Sequence, residues 1–327
     1  MNILLSGGAG YIGSHTALSL LDQGHKVTII DNLSTGNKNL IPKNANFIKC
    51  DIKDSLTITN LLKKEKFDAL MHFAGFIQVE ESVHNPEKYF TNNTKNSKIL
   101  FETCQNNNLK NIIFSSTAAT YGNPIDEKPI KEDSLLKPLN PYGESKALTE
   151  KYLQGNSKLK SIILRYFNVA GADPKMRSGL ISKKPTHLIK IASEVAVGKR
   201  DNITIFGDDY STHDGTAIRD YIHVSDLADI HIKAVKYLIK NQQSNIINCG
   251  YGVGFSVKDV LRKVNEVNQK VIEIKKGKRR VGDSAMLVSD TSKLNSLLDW
   301  KSKHQDLSFI IKTAIEWEKK LLDSTRV

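Results

Sequence analysis

The opening of the chain constrains it most: a short apolar run at residues 3–6, then Gly7-Gly8-Ala9-Gly10-Tyr11-Ile12-Gly13, then an amphipathic stretch over 12–23. Glycine at 7 and 10 permits a tight turn and lets backbone approach a diphosphate. Glycine at 13 lets the following helix pack against the strand, and that helix's N-terminus offers amide donors and a positive dipole end. A glycine spacing alone says little, because glycine turns are common. Here it lies between a strand and a helix, and the next apolar run, 27–30, ends on Asp31. A carboxylate roughly 20 residues beyond such a turn accepts hydrogen bonds from an adenosine ribose. The same charge repels a 2′-phosphate and no arginine follows it, so the segment predicts NAD rather than NADP.

Further strand-like runs lie at 47–49, 69–73, 112–115 and 162–166, separated by helical patterns at 56–64, 87–106 and 142–154. Strands at this spacing joined by helices predict parallel pairing with right-handed crossovers, an α/β fold with a Rossmann-type doubly wound parallel sheet. Beyond Gly171 the alternation loosens. Helices are expected at 187–197, 225–240, 257–268 and 307–322, and strands at 204–206 and 245–248. The expected division is an NAD-binding Rossmann domain over 1–169, to whose sheet segments near 211–250 return, and a smaller C-terminal α/β substrate-binding domain over 170–327. Ligands of open α/β sheets lie at the carboxyl ends of strands. Asp51-Ile52 and Phe73-Ala74-Gly75 occupy such ends and join the expected cofactor contacts.

Composition narrows the rest. No run approaches the ~18–20 apolar residues of a membrane span, and no secretory pattern precedes the glycine turn, so a cytoplasmic protein is expected. Cys50, Cys104 and Cys249 match no metal-binding spacing and read as reduced thiols; no metal is expected. The net charge of +12 comes from lysines scattered along the chain without interleaved aromatics, which argues against nucleic acid while favouring phosphate-bearing ligands.

The fifth strand runs into Ser115-Ser116-Thr117-Ala118-Ala119-Thr120-Tyr121-Gly122, and later comes Asn140-Pro141-Tyr142-Gly143-Glu144-Ser145-Lys146. Asn140 suits an N-cap and Pro141 the first helical position, so Tyr142 and Lys146, four apart, share one helical face. A neighbouring ammonium and a cationic nicotinamide would each favour the phenolate, which makes Tyr142 a candidate general base. Thr117 would hydrogen-bond the reacting hydroxyl. His213, His223 and His231 read as structural, since none precedes a recognisable nucleophile or metal partner.

These segments, with GGAGYIGSHT, DNLS, HFAG, FSSTAATYG, NPYGESK, LRYFNVAGA, IFGDDYSTHDGTAIRDYIHVSDLAD and RRVGD, give the chain a resemblance that runs nearly its whole length. It resembles the extended short-chain dehydrogenase/reductase family, and within it the UDP-glucose (UDP-galactose) 4-epimerases. The resemblance implies that a tyrosinate takes the sugar 4-OH proton while the C4 hydrogen leaves as hydride to a retained NAD. The 4-keto sugar then turns over and the hydride returns to its other face. It assigns catalysis to Tyr142, Lys146 and Thr117. It assigns cofactor contacts to Gly7, Gly10, Tyr11, Ile12, Gly13, Asp31, Asn32, Leu33, Ser34, Asp51, Ile52, Phe73, Ala74, Gly75, Asn92, Tyr142, Lys146 and Phe167. For a UDP-sugar it implies Asn168, Arg219 and Arg280 on the diphosphate and Asp283 on the uridine ribose. His187-Leu188 and Thr204-Ile205-Phe206 would flank uracil, and Thr117 and Leu287 would lie near the sugar. A homodimer paired through the segments 87–106 and 142–154 is implied as well.

Two positions depart from the family pattern. Ile77 stands where some relatives carry a lysine that contacts NAD. Leu287 stands where some carry a tyrosine that narrows the pocket at the sugar's C2 substituent, so room for an N-acetyl group is expected. The rival readings are a nucleotide-sugar 4,6-dehydratase, a decarboxylase or net dehydrogenase, and a silent NAD-binding regulator. Ala118-Ala119 after Thr117 lack the acid and base that eliminating water requires, and the intact Thr117, Tyr142 and Lys146 argue against a silent protein. The lysines of the 275–280 run read as a solvated charge run.

Overall fold

The computed structural model describes residues 1–124, 128–280 and 283–325. Its strands in chain order are β1 (Asn2–Ser6), β2 (Lys26–Asp31), β3 (Asn46–Lys49), β4 (Ala69–His72), β5 (Asn111–Thr117), β6 (Lys160–Tyr166), β7 (Asn168–Ala170), β8 (Asn202–Phe206), β9 (Ile218–His223), β10 (Asn245–Cys249), β11 (Gly254–Ser256), β12 (Glu273–Gly277) and β13 (Met286–Leu287). Seven of them form one parallel sheet in the order β10-β6-β5-β4-β1-β2-β3. The order reverses at β1, which opens a crevice beyond the carboxyl ends of β1 and β4, where ligands of such sheets bind. Ile3, Leu5, Val27, Ile29 and Met71 pack on one face, while Leu4, Ile30, Leu70 and Phe114 pack on the other. Burial on both faces is why these strands read in the sequence as apolar runs.

After β6 the chain leaves for a second lobe and comes back. β10 pairs with β6 from Asn245 opposite Ile162 to Cys249 opposite Tyr166, and the helix Val224–Asn241 before it packs against the helix Tyr11–Asp22. The second lobe carries two small sheets: β11-β9-β13 with β7 added on β9, and β8 paired with β12. No helix of the described residues is long and apolar enough to cross a membrane.

The lysines of the 275–280 run are solvated as expected, and Lys275 and Lys276 lie on a strand the sequence did not announce: Glu273–Gly277 pairs parallel with β8 along an exposed edge. One expectation needs correction. The segment expected as one helix over 87–106 is Pro86–Tyr89, a π-helical turn Phe90–Asn96, and Ser97–Asn106. The wider turn aims Asn93 inward. Its Oδ1 accepts the Phe76 N–H at 2.9 Å, and its Nδ2 donates to Phe76 O at 2.9 Å and to Ser145 Oγ at 3.2 Å. Such bulges persist where side-chain bonds replace the regular ladder, and they cluster at functional sites.

Candidate active site

The glycine turn is packed backbone to backbone. Gly7 has φ +73°, and a Cβ there would lie 2.4 Å from the Ala74 N and 2.7 Å from its Cα. A Cβ on Gly13 would meet the Gly7 O at 2.4 Å and the Gly8 Cα at 2.8 Å, so this glycine fits the helix against the turn itself. Gly10 N–H donates to Gly7 O at 3.1 Å, and a Cβ on Gly10 would meet only that oxygen. The helix Tyr11–Asp22 begins at Gly10 with no side-chain cap and no acidic residue in its first turn, which leaves its N-terminus open to an anion. Asp31, buried at the end of β2, accepts Ala9 N–H at 3.0 Å and Leu33 N–H at 2.8 Å. Burial pushes its carboxyl above the usual range while those amides pull it back, and each oxygen keeps a lone pair for a ribose hydroxyl. Asn32 donates to Asp51 at 2.9 Å and accepts Ser34 N–H at 2.9 Å, tying the ends of β2 and β3 together. These features fit an adenine dinucleotide: an uncapped helix end for its diphosphate and an oriented carboxylate for its ribose.

On the other side of the crevice, Asn140 Oδ1 accepts Gly143 N–H at 2.9 Å and starts the helix Pro141–Gly155, as the sequence predicts. Tyr142 is half-buried and lies by the Thr117 hydroxyl at the end of β5. Thr117 Oγ1 accepts Ala119 N–H at 3.2 Å, which leaves its own proton available to donate. Lys146 is buried. It donates to Ser115 O at 2.8 Å, and its ammonium sits 4.9 Å from the Phe114 ring centre. Burial pulls it down to about 8, against the raising field of Glu150. Burial holds the Tyr142 hydroxyl above its ordinary value, and the opposing influence is the Thr117 hydrogen bond.

Between the two lobes, Tyr11, Asn168, His187, Leu188 and Tyr221 line a cleft. The Tyr11 hydroxyl donates to Gly171 O at 2.6 Å across the two lobes, and burial lowers the His187 ring below its usual value. A second group gathers around Arg219, which is only 13% exposed and lies 4.0 Å from Asp283. Arg280 donates to Asp283 at 3.1 Å, and its guanidinium lies 4.8 Å over the Phe206 ring, next to Thr204 and Ile205 on β8. Leu287 pairs with Arg219 in the β13–β9 ladder, and its side chain packs with Ala118 and Phe167. The structure thus brings Arg219, Arg280, Asp283 and Phe206 together and links them, through Leu287, to the end of β5. Val281 and Gly282 of the RRVGD segment lie outside the described residues. Asn92 turns its amide to Asn93 Oδ1 at 3.1 Å, and Ile77 is exposed.

Residues 3–250 match the model of the NAD dependent epimerase/dehydratase family. The chain belongs to that family. It is 44% identical over 325 residues to a UDP-glucose 4-epimerase of Azospirillum brasilense, an alignment covering 98% of this chain and 93% of that one. Its fold superposes on the UDP-glucose 4-epimerase of Brucella ovis in complex with NAD with a TM-score of 0.92 at 38% identity, covering 96% and 97% of the two chains. For the UDP-Glc/GlcNAc 4-epimerase of Campylobacter jejuni the TM-score is 0.84 at 47% identity, covering 98% and 99%.

Within this epimerase/dehydratase frame, sequence reasoning missed several polar residues. Asp220 is fully buried and accepts Tyr251 N–H, Gly252 N–H, Ser289 N–H and the Ser289 hydroxyl. It fixes β9, whose alternation then puts Arg219 and Tyr221 together on the opposite face. The DYIH segment held this signal, as an acid between two large polar residues in a strand-length run. His223 and His231 are buried and hydrogen-bonded, to Thr313 and Tyr166. His213 is exposed instead, beside Asp214 and Asp259. All four oxygens of those two carboxylates already accept hydrogen bonds, from Thr216, Ser256 and Arg262, and form caps and turns there. Cys50, Cys104 and Cys249 are free and buried.

Proposed function

We propose that the chain inverts C4 of UDP-hexoses, interconverting UDP-glucose and UDP-galactose and also UDP-GlcNAc and UDP-GalNAc, with NAD retained through the cycle. The observation that carries this reading is the placing of Tyr142 by the Thr117 hydroxyl at the end of β5, on the same helix as the buried Lys146.

In this reading Tyr142 Oη takes the proton of the sugar 4-OH and later gives one back. Thr117, its own proton available to donate, holds that hydroxyl in line. When bound, NAD supplies hydride acceptance and return, and its cationic ring is the charge that favours the Tyr142 phenolate over the neutral phenol that burial prefers. Gly7, Gly10, Gly13, Asp31, Asn32, Asp51 and Lys146 would hold it, together with the other contacts expected at the ends of β1 to β6. Arg219 and Arg280 would pair with the diphosphate, since a planar guanidinium matches two phosphate oxygens at once. Asp283 would take the uridine ribose and Phe206 one face of the base. Inversion needs the sugar ring to turn over while the nucleotide stays put, and anchors that grip only the nucleotide permit that.

Ala118 and Ala119 carry no proton to give or take, which weighs against dehydration. Leu287 beside Ala118 and Phe167 leaves an aliphatic wall where a tyrosine would intrude, and the similar Campylobacter jejuni protein is described as acting on both sugar classes. The activity is assigned to a cytoplasmic homodimer paired through the segments 87–106 and 142–154. Incubation with UDP-galactose, and separately with UDP-GalNAc, with no NAD added and with product identification, tests the whole reading. UDP-glucose and UDP-GlcNAc are expected. A 4-keto-6-deoxy product would overturn epimerisation, and an inert UDP-GalNAc would remove only the N-acetyl substrates.

A further inference from the structure

Beneath the helix Pro141–Gly155 lies a buried polar network that the mechanism above does not use. Glu150 follows Lys146 by one helical turn and is fully buried. Arg165 of β6 grips it through Nε at 3.1 Å to both carboxylate oxygens and through Nη2 at 2.6 Å. The Ser116 hydroxyl of β5 donates to the same carboxylate. Arg165 Nη1 continues to the Tyr121 hydroxyl at 2.8 Å and to Glu132 O at 2.9 Å, and Tyr121 donates to Asn248 of β10 at 2.7 Å. Ser116 sits between Ser115, whose carbonyl accepts Lys146, and Thr117, which lies by Tyr142.

We propose that Glu150 is a positioning residue: its carboxylate, clamped by Arg165 and Ser116, fixes the helix bearing Tyr142 and Lys146 against the strand end bearing Ser115 and Thr117. The inference rests on the epimerase reading above. A helix free to slide on β5 by a fraction of a turn would lose both contacts together, because the clamp and the two working groups share one helix and one strand segment. A buried ion pair is a costly way to gain stability alone, and its best attested use is to fix register. The clamp also sets the field at Lys146. The groups facing that ammonium are Glu150 on its own helix, the Ser115 carbonyl and Phe114 ring on β5, and His72 on β4; Arg165 lies beyond Glu150 on β6. Burial keeps His72 neutral, down to about 3, which leaves Glu150 as the nearby negative charge.

The test is Glu150→Gln in the NAD-loaded enzyme, with wild type beside it. A folded, NAD-retaining variant is expected to lose roughly tenfold in kcat while KM for UDP-galactose changes less than about twofold. The alkaline limb of its kcat profile should move to lower pH by roughly one unit, because Lys146 then gives up its proton more readily. If that variant does not fold, Ser116→Ala and Ser116→Thr take its place: the alanine should lower kcat several-fold with KM little changed, and the threonine, which keeps the hydroxyl, should restore it. A folded variant with wild-type kcat and an unmoved profile overturns the proposal, as does a Ser116→Ala that loses only thermal stability. A wild-type enzyme that fails to epimerise sinks the functional reading itself, and is thereby distinguished from a failure of the clamp.

Discussion

At the ends of β1 and β4 the site is made of backbone. Gly7 sits at φ +73° against the Ala74 amide, and Asp31 is pinned by two main-chain N–H groups. Around β9 it is made of long side chains, with Arg219, Arg280, Asp283 and Phe206 reaching in from separate segments of the second lobe. The first region is shaped before any ligand arrives. The second holds a desolvated guanidinium, Arg219, whose nearest carboxylate among the described residues is 4.0 Å away, and Arg280, 55% exposed and bonded to the same Asp283. Backbone suits a cofactor that stays; side chains suit a substrate that must come, turn over and leave.

The largest effect should fall where the two regions meet. Tyr142→Phe should lower kcat by roughly 10²–10⁴-fold with UDP-sugar binding kept, measured by turnover and titration calorimetry. Full activity would remove Tyr142 from the mechanism. Next, the backbone region should tolerate nothing. Gly7→Ala places a Cβ 2.4 Å from the Ala74 N at a positive φ, and we expect purified protein with little NAD and a melting temperature lowered by several degrees. Normal NAD content after this change would break the contrast. The side-chain region should instead respond in KM. Arg219→Ala should raise KM for UDP-galactose roughly 100-fold and the more exposed Arg280→Ala roughly tenfold or less, with kcat little changed. Equal effects would mean that burial does not rank the two. Smaller still, Leu287→Tyr should cut turnover of UDP-GalNAc by roughly tenfold while sparing UDP-galactose.

Acid separates the regions in a different way. His15, His72, His223 and His231 are buried neutral, at about 4, 3, 3 and 4, because burial disfavours their charged forms. An unfolded chain takes up those protons near pH ~6.5 while the folded one does not, so stability is full above that value and falls as pH drops toward 4. The melting temperature should decline steadily from pH 7 to 4.5. A flat curve would show that these rings are accommodated charged.

The backbone region was the legible one, because its signal is local: the turn, the helix and Asp31 lie within 31 residues, and Asn140 announces the helix of Tyr142. The substrate region could be reached only through resemblance, since Phe206, Arg219 and Asp283 are distant in sequence and meet only once β9, β8 and β13 are laid down. The Glu150–Arg165–Tyr121–Asn248 network was silent for the same reason, joining a helix, two strands and a loop. Strand β12 hid behind its lysines, because an edge strand with four exposed residues shows no apolar alternation. The π-turn at Phe90–Asn96 kept a helical pattern on either side, and only the inward bonds of Asn93 reveal the extra width.

The central claim, that hydride is borrowed and returned within one site, is tested most directly with UDP-galactose deuterated at C4. The account predicts UDP-glucose that keeps the deuterium at C4, formed without added NAD and without free NADH. Loss of the label to water, or a product left oxidised at C4, would contradict it.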